Sequence, residues 1–349
     1  MPTIDQFSTR KMLPMVEELR EPRTFFQSML FRATEMSPTK IVDLDRDNRG
    51  LQVAQFTNPD ATAKPTEKQS WSAHSFEIPY MKPMMSIQTS ELVTRMPGET
   101  NYDERSMQER HRRLAARCLN DLDARIQRRI EVMASQVVRN GVITVTDEDG
   151  HTMGTVTFPR NSRTLVDLDG GDRWSESTAD IVGDLEAMQD TSGELTGILP
   201  DFYFCSPEVW SVIRNNSKLL SLMDNVSIPA EFAKLTSEAR DIGVRYGGNI
   251  LGLPIYVVST NYRIGTDTVR TVDSDTFGCA STRAGGYVVY GPIHEFDEAG
   301  NALVASSPRY PISWATRNPS VQNIQLHSAP LTMLPHWNSV QTWKVIGGS

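Results

Sequence analysis

Cysteine is scarce: Cys118, Cys205 and Cys279 are the only three in 349 residues, far apart and in no CxxC spacing. An odd, scattered set excludes a disulfide framework and predicts free thiols in a reducing compartment. Long apolar runs are missing too, and nothing reaches the roughly 18 residues that suggest a membrane helix. The opening "MPTIDQFSTRKMLPMVEELREPR" has no apolar stretch of the kind that marks a secretory signal. Positive charge is in deficit, with 35 Lys and Arg against 43 Asp and Glu and a formal charge of -8. That balance speaks against a protein whose work is to coat nucleic acid.

Catalytic signatures are equally thin. His74, His111, His151, His294, His327 and His336 show no HExxH or other paired spacing. No GxSxG elbow or GxxxxGK[ST] phosphate loop occurs. The glycines of "GGNILG", Gly247 to Gly252, come after a helical pattern and before a strand, the reverse of a dinucleotide loop, and read as strand-edge turns. "DLDGGD", Asp167 to Asp172, lacks a calcium loop's length and closing Glu and reads as a solvated turn. The residues therefore predict no enzyme activity, no metal and no cofactor.

What is present is an ordinary folded composition, 39% hydrophobic and 22% charged, with a distinctive order of patterns. A charged first stretch leads to "TFFQSMLFR", whose Phe25, Phe26, Met29, Leu30 and Phe31 suit an anchor. "TKIVDLDRDNRG" reads as a short strand and turn. In "WSAHSFEIPYMKPMMSI", His74, Phe76, Ile78 and Tyr80 alternate with polar residues or proline, as in one arm of a hairpin, with "RGLQVAQFT" as the expected partner. Pro79 and Pro83 lack amide protons and fit no central strand. From about Asp103 to Arg139 there is neither proline nor glycine. Met107, Leu114, Cys118, Leu122, Ile126, Ile130, Met133 and Val137 form one helical stripe, ended by Asn140-Gly141. Cys118 in that stripe is expected to be the least accessible thiol.

Eight arginines lie between Arg105 and Arg129, interleaved with Asp103, Glu104, Glu109, Asp121, Asp123 and Glu131 at distances that allow i,i+3 and i,i+4 pairing. They predict a solvated or subunit-facing charged surface rather than a nucleic-acid patch. "VITVTDEDGHTMGTVTF" is a hairpin turning near Asp149-Gly150. From Thr178 to about Leu303 an α/β pattern follows: "STADIVGDLEAM" with a Ser or Thr cap, "DFYF", "SPEVWSVIRNN" capped by Ser206, "PAEFAKLTSEAR", and several strands. Strand signal resumes from Arg309 and ends in a Trp-bearing tail.

These pieces, in this order, resemble the major capsid protein E family of lambda-like tailed phages, from roughly Arg23 to Lys344. "FFQSMLF" with "TKIVDLD" is similar to the start of the family domain. "PYMKPMMSIQTSELVTRMPGE" resembles the return arm of its extended loop, and the helix ending "VMASQVVRNG" its spine. "RWSESTADIVGDLEAM" with "CSPEVWSVIRNN" looks like the entry to its axial subdomain, and "SSPRYPISWATRNPSVQNIQLHSAPLTMLP" like its closing strands.

The resemblance implies an α+β Hong Kong 97-like fold: N-terminal arm 1–40, extended hairpin loop 41–98, peripheral subdomain with spine helix and hairpin 99–177, axial α/β subdomain 178–306, and closing peripheral strands 307–349. It implies hexamers and pentamers forming an icosahedral virion shell around double-stranded DNA, without sequence-specific binding, built in the host cytoplasm. A mildly acidic subunit suits that role, because a basic lining would hold DNA that must slide in and out. About twenty residues precede "TFFQ", so a separate scaffolding protein is expected, with a portal and a decoration protein; a weld through Lys64, Lys68 or Lys82 is not. The hairpin has no evident core of its own and is expected to bury Trp71, Phe76, Ile78, Tyr80 and Met84 against a neighbouring subunit, with Arg112 and Arg113 also at the contact. An encapsulin-like compartment and a soluble α/β enzyme are the alternatives.

Overall fold

The computed structural model describes residues 24–47, 71–93, 107–147, 151–216, 219, 223–224, 243–264, 267–296, 302–305 and 307–347. Residues 1–23 of the expected arm, the link carrying Lys64 and Lys68, the partner strand "RGLQVAQFT", the whole of "PAEFAKLTSEAR" and the turn at Asp149-Gly150 lie outside these residues.

A helix from Met107 to Asn140 is the longest element, about 51 Å at 1.5 Å per residue. Uninterrupted by proline or glycine, it stops where Gly141 takes a φ of 70° and its N–H donates to Val137 O at 3.1 Å. Its buried stripe includes Leu119, Leu122, Ile126, Ile130 and Val137. Against this spine lie the helix Phe25–Leu30 and the antiparallel sheet ordered Tyr310–Thr316, Val321–His327, Met84–Gln88.

A seven-stranded sheet forms the other half, in the order Leu165–Asp167, Gln341–Lys344, Thr276–Ala280, Phe202–Cys205, Leu253–Val258, Val244–Ile250, Met223–Asp224. Strand alternation divides its side chains between two cores. Phe202, Phe204, Tyr256 and Val258 join the core containing the spine and the Phe25–Leu30 helix. Tyr203, Cys205, Ile255, Val257, Phe277 and Cys279 join a second core with Trp174 and the helices Ile181–Thr196 and Pro207–Asn215. The anchor is aromatic: ring centroids stand 5.5 Å apart for Phe25 and Tyr256 and 5.3 Å apart for Phe26 and Phe204. A Cβ on Gly278 would meet Gln341 O at 2.6 Å, so the middle of this sheet closes only around glycine.

Ser206 caps its helix as expected, accepting the Val209 N–H at 3.1 Å. The preceding helix is capped by Asp180, not by a Ser or Thr. The strand Gln341–Lys344, expected among the peripheral closing strands, lies inside the seven-stranded sheet between Thr276–Ala280 and Leu165–Asp167. Its ladder partners and the burial of Trp343 decided that placement, and neither is local in sequence.

The hairpin differs from expectation as well. Trp71–Glu77 pairs with Ile41–Asp47, from Ile41 opposite Glu77 to Asp47 opposite Trp71. The stretch 71–87 is not one arm but two strands in two sheets, since Met84–Gln88 pairs with Val321–Gln325. Pro79 and Pro83 occupy the interval, where only Met81 makes an isolated bridge to Ser328. The prolines thus end one ladder and delay the next, as their missing amides require.

Candidate assembly surface

The hairpin side chains divide by depth. Phe76 is buried with its ring centroid 5.1 Å from that of Phe158, and the His74 ring stands edge-on to Trp337 at 5.6 Å. Ile78 is buried too; its Cδ1 would lie 3.0 Å from a Cβ added at Gly291, so it fills the space that glycine leaves. Phe76 and Ile78 therefore sit in the subunit's own core. The expectation that their shared face lacks such a core is corrected: Phe158, Gly291 and Trp337 come from distant parts of the chain, and strand periodicity cannot reveal them.

Tyr80 is half-buried and hydrogen-bonds His327 Nδ1 through its hydroxyl at 2.8 Å. Burial and then the nearby Glu295 carboxylate push the Tyr80 phenol up to about 12. His327 is buried 3.5 Å from Glu295, and burial pulls its pKa down despite that carboxylate. Lys82 lies 5.3 Å over the Tyr80 ring. Of the other expected contact residues, Met84 is 49% exposed, and Arg112 and Arg113 are exposed on the spine. Trp71 is placed by its backbone opposite Asp47. The structure does not gather the seven into one patch: two are core, one is tethered within the chain, three are exposed on two elements, and Trp71 is placed by its backbone alone.

The spine's charges also depart from expectation. Asp123 and Glu131 are buried, not solvated. Asp123 pairs with the buried Arg309 at 2.5 Å. Glu131 accepts the Phe26 N–H at 2.8 Å and the Gln27 N–H at 2.9 Å, at the start of the Phe25–Leu30 helix. Burial drives the Glu131 carboxyl up to about 7 even against these amide donors. Among the described residues no ion pair joins two positions of the spine helix. These two acids face inward because the fold needs them there as tertiary partners, while Glu109 and Asp121 stay exposed.

Pattern reading missed a second set of residues. Ile41, Met153, Val304 and Trp314 are large, apolar and between 41% and 75% exposed. The first three lie in the ladders Ile41–Asp47/Trp71–Glu77, Val142–Thr146/Thr152–Thr157 and Ile293–Phe296/Ala302–Ala305. These ladders and Asn261–Ile264/Asp267–Arg270 are each two-stranded among the described residues. Between the first two runs a half-open groove of about 810 Å³, lined by residues including His74, Glu77, Tyr80, Met153 and Thr155. The signal for these residues is an apolar side chain out of phase with its strand's buried face, visible only once the sheet is known.

The family model described as phage major capsid protein E matches residues 8–345. The major capsid protein of Enterobacteria phage P21 is 26% identical over 337 residues, covering 94% of this chain and 96% of that protein. The major capsid protein of Escherichia phage lambda is 24% identical over 338 residues, covering 95% and 96%. Among solved structures, a prophage capsid protein of Escherichia coli CFT073 superposes with a TM-score of 0.75 at 20% identity, covering 97% of this chain and 99% of that one.

Proposed function

The chain belongs to the phage major capsid protein E family, and from that premise we propose how it builds a phage head. It is a structural major capsid protein of the virion shell, with an α+β Hong Kong 97-like fold, and not an enzyme. In the proposed assembly, copies form hexamers and pentamers that close an icosahedral head around double-stranded DNA in the host cytoplasm. A separate scaffolding protein and a portal act during assembly, and a small decoration protein covers the outside where subunits meet. The proposed division is arm 1–40, hairpin loop 41–98, peripheral 99–177, axial 178–306 and closing strands 307–349, with Gln341–Lys344 structurally within the axial sheet.

The observation that carries this reading is the set of two-stranded ladders with unpaired outer edges among the described residues. A two-stranded ladder is marginal in water, and its open N–H and C=O groups invite another chain. Three of these ladders add an exposed apolar side chain, Ile41, Met153 or Val304. Neighbouring subunits would supply the missing partners through heterologous contacts that close around a ring. Of the residues first expected at that contact, Trp71, Met84 and Arg112 remain proposed for it, while Arg113, also exposed on the spine, is proposed instead for a different contact. Phe76, Ile78 and Tyr80 support it from beneath by holding the hairpin to its own subunit.

The test is electron microscopy and light scattering of the purified chain, alone and with its scaffold, and nuclease digestion of native particles. Closed shells that protect double-stranded DNA are expected. Small oligomers under every assembly condition would sink the shell reading, and shells holding protein cargo without DNA would favour an encapsulin-like compartment.

A further inference from the structure

Between Met107 and Asn140 the spine carries eight arginines and no lysine, and the fold divides them. Arg110 donates to Leu92 O, Arg129 to Thr146, and Arg139 to Arg270 O and Asp273. Arg112, Arg113, Arg117, Arg125 and Arg128 are exposed, and none of them enters an ion pair or hydrogen bond among the described residues. At 3.6 residues per turn, Arg113, Arg117 and Arg128 share one outward ridge with Ala116, Asn120 and Ala124, while Arg112 and Arg125 lie on its flanks. Between Arg113 and Arg128 the one exposed acid is Asp121, because Asp123 is turned inward to Arg309.

We propose that this ridge is a contact for the phosphate backbone of the double-stranded DNA inside the shell. The inference rests on the reading of the chain as the subunit of a DNA-filled head. Three features favour a polyanion over a protein partner. The ridge offers guanidinium forks, which match phosphate oxygens in pairs. It carries no aromatic or large aliphatic side chain, whereas a protein interface needs an apolar anchor at its centre. Its small residues Ala116 and Ala124 let a duplex approach the helix closely. Arg113 and Arg117 are about 6 Å apart along the axis and the row spans about 22 Å, roughly six base-pair steps. Against a chain of net charge -8, three contacts per subunit give weak, salt-sensitive, sequence-independent binding that still lets DNA slide.

The test titrates a short mixed-sequence DNA duplex with the unassembled full-length chain between about 50 and 200 mM salt. The triple variant Arg113→Gln/Arg117→Gln/Arg128→Gln is expected to bind about tenfold or more weaker at the low end, with the salt slope smaller by about 2–3. Arg283→Gln, an exposed arginine elsewhere, is the control and should titrate like the parent. If the triple variant melts early, Arg117→Gln alone should still lower the slope by about 0.9. A parent that does not bind the duplex, or a triple variant that binds as the parent does, overturns the proposal. So does a triple variant that binds DNA normally yet forms no shells, since the ridge would then dock protein. Failure of the parent itself to form shells is scored separately by microscopy and would count against the capsid assembly, not the ridge.

Discussion

The two sides of the spine helix carry opposite charge with opposite fates. Inward, Asp123 and Glu131 are buried, each with its own tertiary partner: a guanidinium for one and two backbone amides for the other. Outward, five arginines stand exposed with no ion pair among the described residues. Sequence spacing pairs these acids and bases along the helix surface, yet Asp123 and Glu131 find their partners on other elements. A buried charge is tolerated only with a partner beside it, so the acids serve folding. An exposed arginine costs the fold little and stays available to something outside it.

The comparison breaks most sharply at Asp123. Asp123→Ala leaves Arg309 charged and buried without a counter-charge, and is expected to cost about 3–5 kcal/mol of stability in denaturant unfolding of the unassembled chain. A similar loss is expected at the hairpin root, where Phe76→Ala empties the space against Phe158, at about 3–5 kcal/mol. An unfolding midpoint unchanged from the parent would put Phe76 back on a neighbour's surface.

Glu131 sharpens the contrast through pH. Its carboxyl is raised from an ordinary 4.5 to about 7 by burial, so the folded chain holds the proton more tightly than the unfolded one. The stabilisation is complete below about pH 4.5 and is lost as pH rises through 7, an effect on the order of 3 kcal/mol. Melting measured across that window should show this loss in the parent and not in Glu131→Gln. A parent whose Glu131-dependent stability rises with pH would mean that the amide donors outweigh burial.

Thiol accessibility is the next, smaller effect. Cys205 and Cys279 are fully enclosed in the seven-stranded sheet, while Cys118 on the spine is 9% exposed. Burial raises all three thiols, Cys279 to about 12. Cys118 should therefore react first with a thiol reagent in the native chain, reversing the order expected from its place in the apolar stripe. The smallest expected effect is on the outer face: Arg113→Gln should move stability by no more than about 0.5 kcal/mol, whatever it does to DNA binding.

Much of the fold was legible along the chain because its cues are local. The spine is readable in a run without proline or glycine and ends at Gly141 with the positive φ its residue type allows. Ser206 and Pro207 begin their helix as their chemistry predicts. The hairpin was legible as alternation, but not its strand partner. Trp71–Glu77 pairs with Ile41–Asp47 and Met84–Gln88 with Val321–Gln325, and both prolines fall in the gap.

By itself the sequence determined a capsid-like order of elements, the absence of a recognisable catalytic motif, and the places where helices start and stop. These follow from side-chain period, missing amide protons and capping groups, all written within a few residues of where they act. Only the tertiary structure decided which apolar faces were already filled and which charges were already answered. Phe76 meets Phe158, Asp123 meets Arg309, and Trp343 joins the far sheet across separations that no local pattern spans. Periodicity tells which side of an element wants a partner; the partner itself is named by long-range packing, where desolvation makes each unmatched group costly.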